Sequence, residues 1–178
     1  MSARRIVAAA GVLVALASLT ACTTTTIGEP EPVATTSAPV FASDEEALAA
    51  AEKAYAAYTE MSDLIASEGG VDPERIEHLA SGDVLEGVLA TFERFRDESL
   101  TLKGETTFDS LVLQRQDSLE VVAYLCLDVT NVDVVNEAGE TTVSPDRRDR
   151  LPFEVTFEVA GGQLIPANRQ LWQSGSKC

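Results

Sequence analysis

The sequence predicts an α+β domain: helices first, then a curved antiparallel sheet against which they pack. Between residues 43 and 100 apolar side chains recur at the helical period, whereas after Leu100 the period drops to two and Pro, Gly and Asn punctuate the runs. Hairpin connections make antiparallel neighbours and leave no room for crossover helices, which separates this order from an α/β one. Composition agrees. The chain has 178 residues, 45% hydrophobic and 24% charged, with a mean hydropathy of +0.04. That fits one globular domain with short appendages and excludes a polytopic membrane protein. Thirteen Lys and Arg against 29 Asp and Glu leave a net charge of -16, a field that argues against nucleic acid as a partner.

Residues 1–21 read as an export leader rather than as part of the fold. Arg4 and Arg5 precede an apolar stretch over residues 6–19, broken only by Gly11 and Ser18, and small residues follow. Fourteen helical residues would span about 21 Å, short of a roughly 30 Å hydrocarbon core. Leu19-Thr20-Ala21-Cys22 resembles the bacterial lipoprotein cleavage box, which implies that Cys22 is diacylglyceryl-modified and becomes the mature N-terminus. Acyl chains contribute about 0.8 kcal/mol per buried methylene, enough in combination to hold a polar chain at a bilayer. Without the leader the chain would carry 11 basic and 29 acidic side chains, a net of -18 over 157 residues, and would be repelled by anionic lipid. Residues 22–42, rich in Thr and carrying Pro30, Pro32 and Pro39, are expected to be the disordered tether that holds the domain off the membrane.

The folded domain is expected over residues 43–178. Ser43-Asp44-Glu45-Glu46 is a capping box that starts a long helix, with Leu48, Ala51, Tyr55, Tyr58 and Ile65 on its apolar stripe and Ala47, Ala54, Met61 and Leu64 widening it. Gly69-Gly70 ends it. Asp72-Pro73 predicts an N-cap and a short helix to about Leu79, and Asp83 with Glu86 predicts the cap of a third, faced by Leu85, Val88, Leu89, Phe92 and Phe95. A strand is expected over residues 106–114. Residues 119–135 predict one long strand, with Val121, Ala123, Leu125, Leu127 and Val129 on one face and Val122, Tyr124, Cys126, Asp128 and Thr130 on the other. Residues 136–139 form a hairpin loop. Leu151, Phe153, Val155, Phe157 and Val159 alternate with polar residues in a half-buried strand, and Gly161-Gly162 turns it into a last strand ending near Trp172.

Two or three leading helices, a strand-rich second half, Tyr124-Leu125-Cys126-Leu127-Asp128, the 136–139 hairpin and a terminal Trp172 with Cys178 resemble small NTF2-like (nuclear transport factor 2-like) lipoproteins of Gram-positive bacteria. The resemblance implies a cone, its curved sheet wrapped by helices and open at the wide end. Such cones serve as enzymes, ligand-binding modules and dimerising scaffolds, so fold alone does not choose among them. Cysteine arithmetic is firmer. With Cys22 lipidated, Cys126 and Cys178 remain as an even pair in an oxidising compartment and are expected to form a disulfide.

Catalytic signatures are sparse. The single histidine, His78, ends a short helix without a nucleophile partner, no phosphate-cradling glycine loop occurs, and neither a metal nor a cofactor site is read. Cone enzymes use a cavity carboxylate, often beside a Tyr; the weak candidates here are Asp128, Tyr124 and Asp109. Arg147, Arg148 and Arg150, clustered in an acidic chain, are the best guess for a partner contact. The expected protein is therefore a lipid-anchored lipoprotein on the extracytoplasmic face of the cell membrane. Its non-catalytic domain would bind a small apolar ligand or an envelope protein, or would pair with a second copy as a homodimer. The alternative is a small hydratase or isomerase using a buried Asp.

Overall fold

The computed structural model describes residues 39–172 and Cys178. The leader over residues 1–21, Cys22 and the tether as far as residue 38 lie outside the described residues. Among those described, no helix is long and apolar enough to cross a membrane.

Helix α1 (Asp44–Ser67) begins where the capping box places it. Ser43 is extended, its Oγ accepts the Glu46 amide at 3.2 Å, and the Glu46 carboxylate reaches back to the Ala42 amide at 3.1 Å. The helix ends in a Schellman turn: Gly70 N–H donates to Ile65 O (2.8 Å) and Gly69 N–H to Ala66 O (3.1 Å). A one-turn helix over Pro73–Ile76 follows. It is shorter than expected, and Asp72 does not cap it. Asp72 lies in the left-handed region (φ 50), where its carbonyl rather than its carboxylate takes the Arg75 Nε–H at 3.1 Å. Helix α2 (Gly82–Asp97) likewise lacks the expected Asp83 cap. Ser81 holds the N-cap position without a side-chain bond to the helix, and Asp83 in the first turn instead accepts from Asn168 at 2.7 Å. A tertiary partner has displaced the local one.

Strands β1 (Thr101–Lys103), β2 (Thr107–Gln116), β3 (Glu120–Asp128), β4 (Asp133–Val135), β5 (Arg150–Ala160) and β6 (Gln163–Leu171) complete the α+β architecture. An antiparallel meander runs β2-β3-β5-β6, and β1 pairs with β4 in a separate ribbon. Bulges between Asp109 and Val112, between Leu113 and Arg115, and between Thr156 and Phe157 bend the meander into a curved sheet. The β5–β6 hairpin turns on Gly161 and Gly162, both at positive φ (58 and 83) as that two-residue turn requires.

The single long strand expected over residues 119–135 is instead two strands. Asp128 Oδ1 accepts the Thr130 amide at 2.9 Å and Val132 N–H donates to Val129 O at 3.0 Å, so a side-chain-anchored turn interrupts the run and redirects residues 133–135 to β1. The predicted faces of β3 and β5 hold. Val121, Ala123, Leu125 and Leu127 join Val155 and Phe157 beneath α1 and α2, against Tyr55, Phe92 and Ile65.

Candidate functional site

The helices and the concave side of the sheet do not close completely. A cavity of about 350 Å³ remains between them, walled by Tyr55, Tyr58, Thr59 and Asp63 of α1, Val88 and Phe92 of α2, Leu127, the 129–132 turn, and Arg169 of β6. The α1 contribution follows from helix geometry. Positions 55, 58, 59, 62, 63 and 66 fall on one stripe, apolar at its start and polar from Thr59 to Asp63. Sequence reasoning widened that stripe with Met61 and Leu64, yet Leu64 is 44% exposed while Ser62 and Asp63 face the cavity. The legible signal was polar residues at core-facing spacing.

The polar groups of the cavity hold definite states. Asp63 accepts the Thr106 amide at 2.6 Å and the Thr106 hydroxyl at 2.9 Å, tying α1 to the start of β2. Burial pushes its carboxyl above the usual range, although those two bonds oppose the shift. Burial also pushes the Tyr58 hydroxyl up to about 12 and raises that of Tyr55, so both are protonated donors at neutral pH. Arg169 donates through Nη1 to the Tyr55 hydroxyl at 3.2 Å and lies 4.7 Å above the Phe153 ring. Burial opposes its charge, but the neighbouring tyrosine hydroxyls outweigh that and raise its pKa. By its surface Arg169 is an exposed residue, open to water where it lines the cavity.

The residues singled out in the sequence lie elsewhere. Tyr124, Cys126 and Asp128 share the convex face of the sheet, as their alternation requires. Asp128 is gripped by the Thr130 hydroxyl and amide and by Arg150, which hold its carboxyl down at about 2. Asp109 accepts two bonds from Arg150 Nη2, each at 2.8 Å, and one from the Ser110 hydroxyl at 2.9 Å, and is likewise lowered. A general base at neutral pH needs the opposite shift, and neither acid lines the cavity. Tyr124 stacks on Trp172 with ring centroids 4.1 Å apart, and its hydroxyl, bonded to the Glu154 carboxylate, is raised. Cys126 and Cys178 are joined by the expected disulfide, with Cα atoms 5.6 Å apart, which fastens the C-terminal residue to this face.

The arginine cluster is divided. Arg147 donates to the Val129 and Val132 carbonyls, each at 2.9 Å, and Arg150 clamps Asp109 and Asp128, so two of the three serve the fold. Arg148 is exposed, as is His78. No group of His, Cys, Asp and Glu among the described residues could hold a metal ion.

No protein-family model matches the chain, and no curated protein matches it. A solved structure from Catenulispora acidiphila aligns at 15% identity with a TM-score of 0.45, covering 70% of this chain and 91% of its own. A solution structure of a de novo designed β-sheet protein aligns at 18% identity with a TM-score of 0.31, covering 75% of this chain and 92% of its own.

Proposed function

We propose that this protein is a lipid-anchored envelope lipoprotein whose NTF2-like α+β domain binds a small, largely apolar ligand without catalysis. The single observation that supports ligand binding is the cavity of about 350 Å³ between α1, α2 and the concave sheet, whose wall combines aliphatic and aromatic side chains with polar groups that include Thr59, Asp63, Arg94 and Arg169. That combination is typical of small-molecule sites. The anchor rests on the cleavage-box resemblance around Cys22, and the cone on the helices-first order over a curved meander. Binding is preferred over hydratase or isomerase chemistry because the acid in the cavity, Asp63, has both oxygens engaged by Thr106. The ligand is preferred over a surface partner because Arg147 and Arg150 are committed internally.

The test is native mass spectrometry of the full chain produced in a Gram-positive host and released from the membrane. The expected result is an N-terminus at Cys22 carrying acyl mass, plus a non-covalent adduct of small-molecule mass that is lost on unfolding. A Cys22→Ser chain that remains membrane-bound overturns the anchor. A protein that arrives bare and takes up no hydrophobic probe overturns the binding reading.

A further inference from the structure

We infer that the ligand is an amphipathic monocarboxylate, its carboxylate held by Arg169 and Tyr58 and its aliphatic or aromatic body lodged against Phe92, Leu127 and Val132. This rests on the ligand-binding reading above and names the chemistry of the same cavity.

The inference starts from an arginine with donors to spare. Four arginines are paired with carboxylates, Arg75 with Glu68, Arg115 with Glu120, Arg147 with Asp149, and Arg150 with Asp109 and Asp128, whereas Arg94, Arg96 and Arg148 show no such pair among the described residues. Arg169, on the cavity wall, has no carboxylate within ion-pair distance among the described residues. Its protein partners are the neutral Tyr55 hydroxyl and the face of Phe153. A guanidinium has five N–H donors in a fixed fork, so one bond to a tyrosine leaves most of that capacity open to a ligand in the cavity.

The geometry also limits what that something is. Arg169 and the protonated Tyr58 hydroxyl offer a planar fork and a second donor, the complement of a carboxylate. The cations of the wall, Arg169 and Arg94, already share it with Asp63 and Asp83, so a dianionic phosphate would bring one more uncompensated charge than a monocarboxylate does. Val88, Phe92, Leu127, Val129 and Val132 supply an apolar part of the wall against which a hydrocarbon body can lie. At about 350 Å³ the space lies near the low end of ligand pockets, which favours a short body.

The test is equilibrium dialysis of full-length protein in lipid nanodiscs, with empty discs as blank, against octanoate, 1-octanol and octyl phosphate. Octanoate is expected to bind at least tenfold more tightly than octanol, and octyl phosphate no better than octanoate. Arg169→Gln should bring octanoate down to the affinity of octanol and leave octanol unchanged, which also certifies that the variant keeps its cavity. Arg169→Lys should retain part of the difference, and Tyr58→Phe should cost octanoate severalfold without affecting octanol. Equal binding of octanoate and octanol to the parent protein overturns the carboxylate assignment while the cavity reading stands, and so does octyl phosphate binding more tightly than octanoate. An Arg169→Gln variant with undiminished octanoate preference overturns the role of Arg169. Failure of all three probes to bind overturns the cavity reading and takes this inference with it.

Discussion

Removing the Cys126–Cys178 bond should cost this domain a large part of its stability. The bond spans 52 residues of sequence, so it encloses β4, β5, β6 and the intervening loops. In the chain-entropy description, cross-linking a loop of that length removes about 4 kcal/mol of freedom from the unfolded chain. Domains of this size retain only about 5–15 kcal/mol in total. The perturbation is the paired substitution Cys126→Ala with Cys178→Ala, which avoids leaving a lone thiol. Cys126 is 5% exposed, so alanine there adds a small packing loss to the entropic one. The assay is urea unfolding followed by far-UV circular dichroism. At a urea dependence near 2 kcal/mol/M the midpoint should fall by about 2 M. The only tryptophan of the chain, Trp172, stacks on Tyr124 two positions from Cys126, so its emission reports the same face independently. A midpoint shift below about 0.25 M, the size of an ordinary surface substitution at that slope, would refute the reasoning.

Gly70→Ala should destabilise the domain by more than about 1 kcal/mol, because Gly70 sits at φ +80 and an added Cβ would lie 2.3 Å from the Phe92 carbonyl oxygen; thermal unfolding measures it, and an unchanged midpoint contradicts the close approach. Asp128→Asn tests the clamp on the convex face. Its folded pKa, about 2, lies below the unfolded value near 3.9, so its contribution is present above about pH 4 and is lost as pH falls towards 2. Denaturant titrations should therefore separate the variant from the parent at pH 6 and bring them together near pH 2, and a gap that persists in acid counts against the ion pair. Arg147→Ala should cost about 1–2 kcal/mol by releasing the carbonyls of the β3–β4 turn, while Arg148→Ala should stay within about 0.5 kcal/mol, and equal effects would mean that the two arginines play the same part.

What could be read in the sequence was local or depended on alternation. The Ser43 cap, the Gly69-Gly70 stop, the Gly161-Gly162 hairpin and the facing of Leu125 against Cys126 each need only a few neighbouring residues. The cysteine pair could be read because few partners existed. The misreadings share a different cause, a side chain captured by a residue far along the chain. Asp83 was lost as a cap to Asn168, 85 residues away, and Asp128 was lost as a base to Arg150, whose position opposite it depends on the β3–β5 register. The cavity was invisible for the same reason. Its walls come from α1, α2, β3, the turn after it and β6, and the one-dimensional hint was a helix stripe whose polar half resembles an ordinary solvated face. The break at Asp128 matters most here, because it turns Val129 and Val132 onto the cavity wall.

The unmatched arginine and the chain's large negative charge act on a carboxylate ligand in opposite directions, and salt should separate them. At a distance the ligand meets a body of net charge -16, a field that slows the approach of any anion. Inside the cavity it meets Arg169, beside Tyr55 and Phe153, at contact distance. The Debye length falls from about 30 Å at 0.01 M salt to about 8 Å at 0.15 M, which removes most of the distant repulsion but weakens a pair in direct contact, well inside that length, far less. Octanoate should therefore associate severalfold faster at 0.15 M than at 0.01 M salt, with its dissociation rate changed little, and octanol should show neither effect. Stopped-flow competition against a fluorescent fatty-acid analogue measures both rates. Faster octanoate association at low salt would mean that a cationic surface steers the ligand in, and with the described acids distributed as they are, that outcome would remove Arg169 as the reason for an anionic ligand.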